Sequence, residues 1–539
     1  MSLFGGLYVG ASGLQTSQNA LNTVAHNMTN VDTEGYTRQQ IQLATRTYNT
    51  ISKTSSANAY QQVGLGVSYE QVKQVRDYFL DKAYRKELGR EGFYNVSCDA
   101  IEEVEEIFQE LDGEAFANSL DNLWQSVQEL DKDPSNSVNQ GVLVQRCAEF
   151  VTRSQAVWKN LCDYQDDLNY DVKKKINEIN DLGKQLVKLN EQILKIESGQ
   201  VEHANDLKDE RNSLIDKLSE YANISVKSDI DGNYIVQIEG IDFVSAGSYK
   251  EMEVYEDPVT GFYTPYWKSL AKYDTDGSLQ SIKGAHVFNM EQEISTDMNT
   301  DIGSVKSLLL ARGDHRANHE DLDPSKYDDI KDSVVMNVMA EFDKLIHDVT
   351  TSINDVLKDA AESATTANPK STYLRDPKTV DGSNPYGKPY EMFVLSADAD
   401  GYTTPNILIN EDIKQAPSLL GFIRPDGKVD QDATAALKKV FTDEVHTLNP
   451  DVKTTTNLTN YYNNLISQVS NTGYIMRGIS ANQTITVTNL ASSREEVVGV
   501  STDEELGNMI MFQNAFNASS RYINALSEMI EHLVTTLGR

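Results

Sequence analysis

The stretch GDHRANHEDLD, Gly313 to Asp323, carries the residue types from which metal and acid–base sites are built. His315 and His319 stand four apart, a spacing at which two imidazoles on one helix can share a transition-metal ion. The surroundings argue otherwise. No Glu follows the first His, as it does in the H-E-x-x-H zinc helix, and Gly313 and Pro324 mark a solvent loop. The acidic run IEEVEEIFQELDGE, from Ile101, could gather a cation. Its apolar members Ile101, Val104, Ile107, Phe108 and Leu111 fall at helical spacing, so the carboxylates form a solvated helix face. The GLG of Gly64–Gly66 lacks a third glycine and reads as a turn, not a phosphate cradle. No G-x-S-x-G is present, and ASSREE, Ala491 to Glu496, reads as a solvated connector. Cys98, Cys147 and Cys162 are odd in number and form no C-x-x-C pair, which fits small buried or half-buried thiols. The expectation is a protein with no catalytic, cofactor or metal residues, and not an enzyme.

The composition narrows what remains. Against 48 Lys and Arg stand 81 Asp and Glu, a net charge of −33 over 539 residues. Such a surface repels phosphate backbones and anionic lipid, which argues against nucleic-acid partners. Apolar residues make up 39%, enough for a folded chain of several domains. No apolar run is long enough to cross a membrane, so no membrane insertion is expected. The N-terminus has no Lys or Arg before Arg38, unlike a cleavable secretory signal.

Proline placement separates helical from irregular regions. Only Pro134 occurs in the first 257 residues, seven prolines lie between Pro369 and Pro425, and none follows Pro450. A long helix is marked by Val172, Ile179, Leu186 and Ile193, with a second row at Leu182, Leu189 and Ile196. The phase resumes at Leu207, Leu214 and Tyr221. Phe116, Leu120, Leu123, Trp124 and Val127 mark another helix, and Val335 to Val356 a later one. After Tyr221 the period becomes two: ISVKSDI, a turn at Asp231-Gly232-Asn233, then YIVQI, a β-hairpin. FVLSA and NILIN are strand candidates within a mixed segment, and NPYGKPY a loop. The fold class is mainly α with β insertions (α+β), an elongated helical bundle carrying outer β-rich domains.

The chain's two ends match each other. Leu7, Leu14, Leu21 and Met28 are spaced by seven. Met509, Phe516, Ile523 and Ile530 form one C-terminal series; Phe512, Ser519, Leu526 and Leu533 form the second. These are the two seam positions of a heptad, and each stripe needs a partner. Past the first stripe stands NMTNVDTEGYTRQ. Asn27 and Asn30 are one turn apart, where short amides can bond free backbone groups at a helix end, and Gly35 lets the chain turn away.

ALNTVAHNMTNVDTEGYTRQ, from Ala20, resembles the N-terminal signature of bacterial flagellar axial proteins: Asn27-x-x-Asn30, then a turn at Thr33-Glu34-Gly35-Tyr36. Glu34 departs from the family's usual proline, which only presets φ for the turn. Thr37-Arg38-Gln39, the helix from Leu168, ANDLKDERNSLIDKLSEYANISV from Ala204 and the segment from Ser493 are similar to the hook-associated protein 1 branch. The resemblance implies a structural protein forming the ring at the distal end of the hook and joining it to the filament through a second junction protein. Its implied partners are copies of itself, the hook protein, that second junction protein and a cytoplasmic export chaperone. Its implied place is extracellular, in the flagellum, after type III export without a cleavable signal.

On this reading the polymer interface is Leu7, Leu14, Leu21, Met28, Asn27, Asn30, Gly35, Tyr36, Met509, Phe512, Phe516, Ile523, Leu526, Ile530 and Leu533. The chaperone takes Ile523, Leu526, Ile530 and Leu533. The expected layout is 1–45 with 495–539 as a terminal coiled-coil domain ordered on assembly; 46–225 with 300–363 and 433–494 as the bundle; 226–299 as a β-rich insertion; and 364–432 as a second mixed one. A hook or rod protein shares the Asn-x-x-Asn start but not the block from Ala204. A secreted coiled-coil adhesin has no need of matched ends, and no constellation supports an enzyme carried at the flagellar tip.

Overall fold

The structure is a computed structural model describing residues 3–46, 49–53, 60–109, 116–199, 202–229, 232–245, 247–397, 399 and 401–537. Leu111, Ile230 and Asp231, named above, lie outside them.

The chain opens with helix α1 (Leu3–Thr29). Four strands follow: β1 (Gln39–Thr45), β2 (Asn49–Lys53), β3 (Tyr60–Val63) and β4 (Val67–Gln74). They form two antiparallel ladders, β1–β4 and β2–β3. No strands are expected here from the sequence pattern. Its period-two signal is spoiled by a bulge between Gln42 and Leu43, which shifts the register and leaves Leu43 exposed.

The body is helical: α2 (Tyr78–Gln109), α3 (Phe116–Lys132), α4 (Ser137–Glu197) and α5 (Asn205–Tyr221), then α6 (Ser304–Arg312), α7 (Tyr327–Ile330) and α8 (Val334–Ala367). The expected row Val172, Ile179, Leu186 and Ile193 is buried along α4, whose start is capped by the Asn136 side chain. Ile196 departs from its row and is exposed. The helices converge on one aromatic knot. Phe116 of α3 lies 5.0 Å from Phe342 of α8 and 5.6 Å from Phe150 of α4, and Phe108 of α2 lies 5.6 Å from Phe342. Tyr462, from a later helix, completes it at 4.9 Å from Phe116. Ring pairs at such distances add to what their buried area contributes.

Two groups of strands dock on the long helices. The first holds the sheet β5 (Ile224–Ser228), β6 (Tyr234–Ile238) and β7 (Ile241–Val244), the hairpin β8 (Met252–Glu256) with β9 (Tyr263–Trp267), and the short pair β10 (Lys272–Tyr273) with β11 (Leu279–Ser281). The expected hairpin is β5–β6, with Gly232 at φ 82° in its turn. The second group holds β12 (Arg375–Asp376) with β13 (Lys388–Pro389), β14 (Phe393–Leu395) with β15 (Ile407–Ile409), and the short helix α9 (Glu411–Gln415). Both strand candidates therefore exist and pair with each other.

Asparagines on helices anchor these strands. Asn180 of α4 donates to the Met252 carbonyl at 2.8 Å and accepts from the Met252 N–H at 3.0 Å. Asn354 of α8 grips Phe393 in the same way, at 2.7 and 3.0 Å. Asn169 donates to the Gly261 carbonyl and accepts from the Tyr263 N–H. A side-chain amide offers one donor face and one acceptor face, so it acts as an extra rung on a strand.

The C-terminal part comprises α10 (Gln431–Thr442), α11 (Leu458–Val498) and α12 (Thr502–Leu537). α11 runs antiparallel along α2. Glu105 pairs with Arg477, Asn95 with Ser480, Glu87 with Gln483 and Asp81 with Arg494. The stretch Ala491–Glu496 is thus not a solvated connector. It is the last turns of α11, and Arg494 is tied down by two carboxylates.

Candidate functional site

α1 and α12 pack antiparallel, and their closest approach is set by small residues. A Cβ at Gly6 would lie 2.9 Å from Leu526 Cδ1, one at Gly10 2.7 Å from Ile523 Cγ1, and one at Gly13 2.8 Å from Ser519 Oγ. This corrects the expected seam on α1. Leu7, Leu14, Leu21 and Met28 are half-buried at its flanks, whereas the buried positions are Gly6, Gly10, Ser12, Thr16, Ser17, Ala20, Val24 and Asn27. Backbones can approach closely only where side chains are absent or short, which is why the stripe of larger residues lost the contest. On α12 the expected positions do face inward: Met509, Phe512, Phe516, Ser519, Ile523 and Ile530 are half-buried and Leu526 is buried. Leu533 is exposed. Ser519, the polar member, sits over Gly13, where a larger side chain would meet the α1 backbone.

The pair meets the body at a polar joint. Asn27, 1% exposed, accepts at Oδ1 from the Gln39 N–H at 3.0 Å and from the Tyr36 hydroxyl at 2.8 Å. Its Nδ2 donates to the Gln39 carbonyl at 2.8 Å. Asn30 donates to the His26 carbonyl at 2.9 Å, capping α1, and accepts from the Thr33 hydroxyl. Gly35 stands at φ 77°, a conformation a side chain resists. The two asparagines thus divide the work: Asn30 closes the helix, and Asn27 grips the strand that leaves it.

Four distant segments converge beyond this turn. The Thr37 N–H donates to Asp209 of α5, and Gln74 of β4 reaches the same carboxylate at 2.8 Å. The Arg38 N–H donates to the Val498 carbonyl, and its guanidinium bridges Glu504 at 2.8 Å and Glu505 at 2.9 Å. Arg76 pairs with Asp81 at 2.5 Å. Arg494 bridges Asp81 and Asp216, and Arg85 also holds Asp216, at 2.6 Å. Burial pushes the Asp209 carboxyl up to about 6, although Thr37 and Arg76 pull the other way. Burial, with Asp206, Asp209 and Glu505 nearby, pushes the Tyr36 hydroxyl well up, keeping it a neutral donor to Asn27. Burial lowers Arg494, but Asp216 and Asp81 outweigh it and hold the guanidinium charged. Arg38, Arg76, Arg494, Asp209 and Glu505 were missed in sequence. The signals were the Thr37-Arg38-Gln39 stretch itself and the charge that the Ala204 block and the end of α11 carry at otherwise helical positions.

The His315–His319 stretch is not the expected solvent loop. Asn318 caps a 3-10 turn, His319–Leu322, in a capping box with Asp321. Ala317, Leu322, Tyr327 and Ile330 bury against Met336 and Ala340 of α8. His319 Nδ1 lies 2.7 Å from buried Asp343, and its ring stacks on His347 at 3.8 Å. His315 sits between Asp314 and Asp321, which hold its pKa up to about 10. Among the described residues, no three His, Cys, Asp or Glu are disposed to share an ion. The expected acidic face on α2 includes Glu105, which is engaged by Arg477.

Known proteins fit this arrangement. Residues 101–368 match the family described as the flagellar hook-associated protein FlgK helical domain. Residues 7–37, α1 and its turn, match the flagella basal body rod protein family. Residues 491–536 match the flagellar basal body rod FlgEFG protein C-terminal family. The flagellar hook-associated protein 1 of Bacillus subtilis is 25% identical over 539 residues, covering 100% of this chain and 99% of that protein. Those of Salmonella typhimurium and Escherichia coli are 22% and 21% identical, each over 97% of this chain and 98% of theirs. The flagellar hook junction protein FlgK from Burkholderia pseudomallei shares the fold, at a TM-score of 0.53 and 12% identity over 79% of this chain and 100% of that one. With both ends and the helical middle matched in order, the chain belongs to the flagellar hook-associated protein 1 family.

Proposed function

We propose that the chain is a structural subunit of the bacterial flagellum. Copies of it form the junction ring at the distal end of the hook and connect the hook to the filament through a second junction protein. The observation that carries this is the joining of both chain ends into one helical pair, held at a fixed attitude by the Asn27 joint. That pair leaves apolar side chains uncovered on its outside: Phe4 and Tyr8 on α1, and Ile510, Met511, Met529 and Val534 on α12. Large apolar side chains left exposed on both helices of the pair support an interaction face there. Such a strip suits head-to-tail contacts, in which one surface meets a different surface on the next copy. Residues 1–45 with 495–539 act as the assembly domain, and the bundle and its insertions face outward. The role is assembly, with no catalytic turnover.

The same α12 positions serve a cytoplasmic export chaperone before assembly, at Ile523, Leu526, Ile530 and Leu533. Ile523 and Leu526 face Gly10 and Gly6 of α1. A chaperone laid on them therefore requires α1 to be off α12, so the two partners exclude each other. The chain leaves the cell by type III export.

The test is electron microscopy of a strain lacking the gene, complemented with the wild-type chain or with Asn27→Ala. Hooks that end bare in the deletion, and regain filaments only with the wild-type chain, are expected. Full filaments in the deletion strain refute the assignment.

A further inference from the structure

We propose that the groove between α8 and α10 is a docking site for a basic, amphipathic peptide segment of a partner protein. The groove holds about 560 Å³, within the range of pockets that bury small ligands or a few side chains. Its floor is apolar and nearly smooth: Val356, Ala360 and Ala364 lie on one face of α8, opposite Ala433 and Ala436 of α10. Small side chains there let a backbone approach closely. Its rim is acidic, with Asp359 on α8, Asp426 in the preceding loop and Asp432 at the start of α10.

The one rim cation is already engaged. Arg424 is bound by Asp430 at 2.7 Å and Asp432 at 2.5 Å, and Asp426 is only loosely paired, 3.9 Å from Lys428, so Asp359 and the outer side of Asp426 face an occupant. Asp430 in turn accepts from the Tyr373 hydroxyl, which fixes the loop that forms the wall. The wall is thus built rather than flexible, and it presents negative charge over an apolar floor. An occupant with Lys or Arg flanking apolar side chains satisfies both parts. A second copy of this chain, at net charge −33, fits poorly. The α8 wall lies within the span that matches the helical-domain family, whereas the Arg424 loop and α10 lie outside the matched spans.

The test uses the full chain and a fluorescein-labelled lysine–leucine peptide, with a glutamate–leucine peptide as control, read by anisotropy. Saturable binding of the basic peptide alone is expected. Asp359→Asn with Asp426→Asn should weaken it about tenfold, as two lost charge contacts imply. Ala364→Phe, which fills the floor, should weaken it at least as much, with circular dichroism confirming an unchanged fold. Equal binding by wild type and both variants would mean attraction to the general acidic surface, and it overturns the proposal. So do tighter binding of the acidic peptide and absence of saturable binding. Spermidine competing as well as the peptide would mark a small-cation site and overturn the peptide assignment.

Discussion

Gly10→Ala adds one methyl group where two helices touch. The new Cβ would lie 2.7 Å from Ile523 Cγ1 and 3.1 Å from Tyr522 Cδ1, against an ordinary carbon–carbon contact of roughly 3.5–4.0 Å. Ile523 is β-branched and has essentially one side-chain rotamer in a helix, so it cannot swing aside cheaply. Overpacking of this kind costs about 1–3 kcal/mol. Replacing Gly by Ala inside a helix returns about 0.5–1 kcal/mol. The clash wins, for a net loss of roughly 0.5–2 kcal/mol in the α1–α12 pairing. Gly5→Ala is the control, because nothing lies within 4 Å of its Cβ position, and it should gain the helix term alone. Native-state hydrogen exchange of the α1 and α12 amides reads both. Gly10→Ala should speed exchange by roughly 2–30-fold, and Gly5→Ala should slow it by roughly 2–5-fold, from the same free energies. Slowed exchange in Gly10→Ala, matching Gly5→Ala, would refute the close approach at this position and with it the antiparallel seam.

Asn27→Ala removes three hydrogen bonds at a buried site and should loosen the joint by about 2–4 kcal/mol, read as faster proteolytic cleavage between residues 30 and 46. The folded Asp209 holds its proton more tightly than the unfolded one, so its contribution is full below pH 3.8 and falls as pH rises through about 6. The loss is on the order of 2–3 kcal/mol, and thermal melts of Asp209→Asn should lack this pH dependence. His319→Ala should lower the melting temperature of the body, because buried Asp343 loses its imidazole partner, at about 1–2 kcal/mol. Leu526→Asp with Ile530→Asp should abolish chaperone binding in calorimetry and leave bare hooks under the microscope. The circular dichroism melt of the body should barely change, since α12 makes its main contacts with α1.

The long helices were legible because their cores are large apolar residues at regular spacing. The row from Val172 to Ile193 could only be a helix, and it is buried in α4. The α1 seam was not legible for the opposite reason. Gly, Ser, Thr and Ala carry little hydropathy signal, yet they face α12 and β4: Ser12 Oγ accepts from the Val67 N–H at 3.3 Å. The eye follows Leu7 to Met28, but close packing selects what fits. The anchoring asparagines hid similarly. Asn169, Asn180 and Asn190 recur at nearly three-turn spacing on the buried side of α4, and polar residues at core positions are a signal worth reading. His319 misled because flanking Gly and Pro suggested a loop, while the capping box at Asn318 and Asp321, visible as Asn-x-x-Asp, pointed to an ordered turn.

That the joint is polar follows from what it must hold. α12 has 36 residues, so it reaches about 54 Å from its start. An error of roughly 10° at the base would displace its far end by about 9 Å, well beyond the tolerance of a packed interface, whose heavy atoms meet within about 4.0–4.5 Å. An apolar contact is non-directional and lets helices slide over each other. Hydrogen bonds weaken steeply once bent, so they resist rotation as well as separation. Asn27 places three such bonds at the foot of α1, and Arg38 places a backbone bond and two ion pairs at the foot of α12. Each contributes only about 1 kcal/mol net, but together they point in different directions and define one attitude. Arg38 ties the turn after α1 to two C-terminal helices, since its N–H meets Val498 at the end of α11 and its side chain meets Glu504 and Glu505 of α12. Swapping it for Lys would keep the charge and lose the planar fork, so the direction of α12, more than its stability, is what that residue sets.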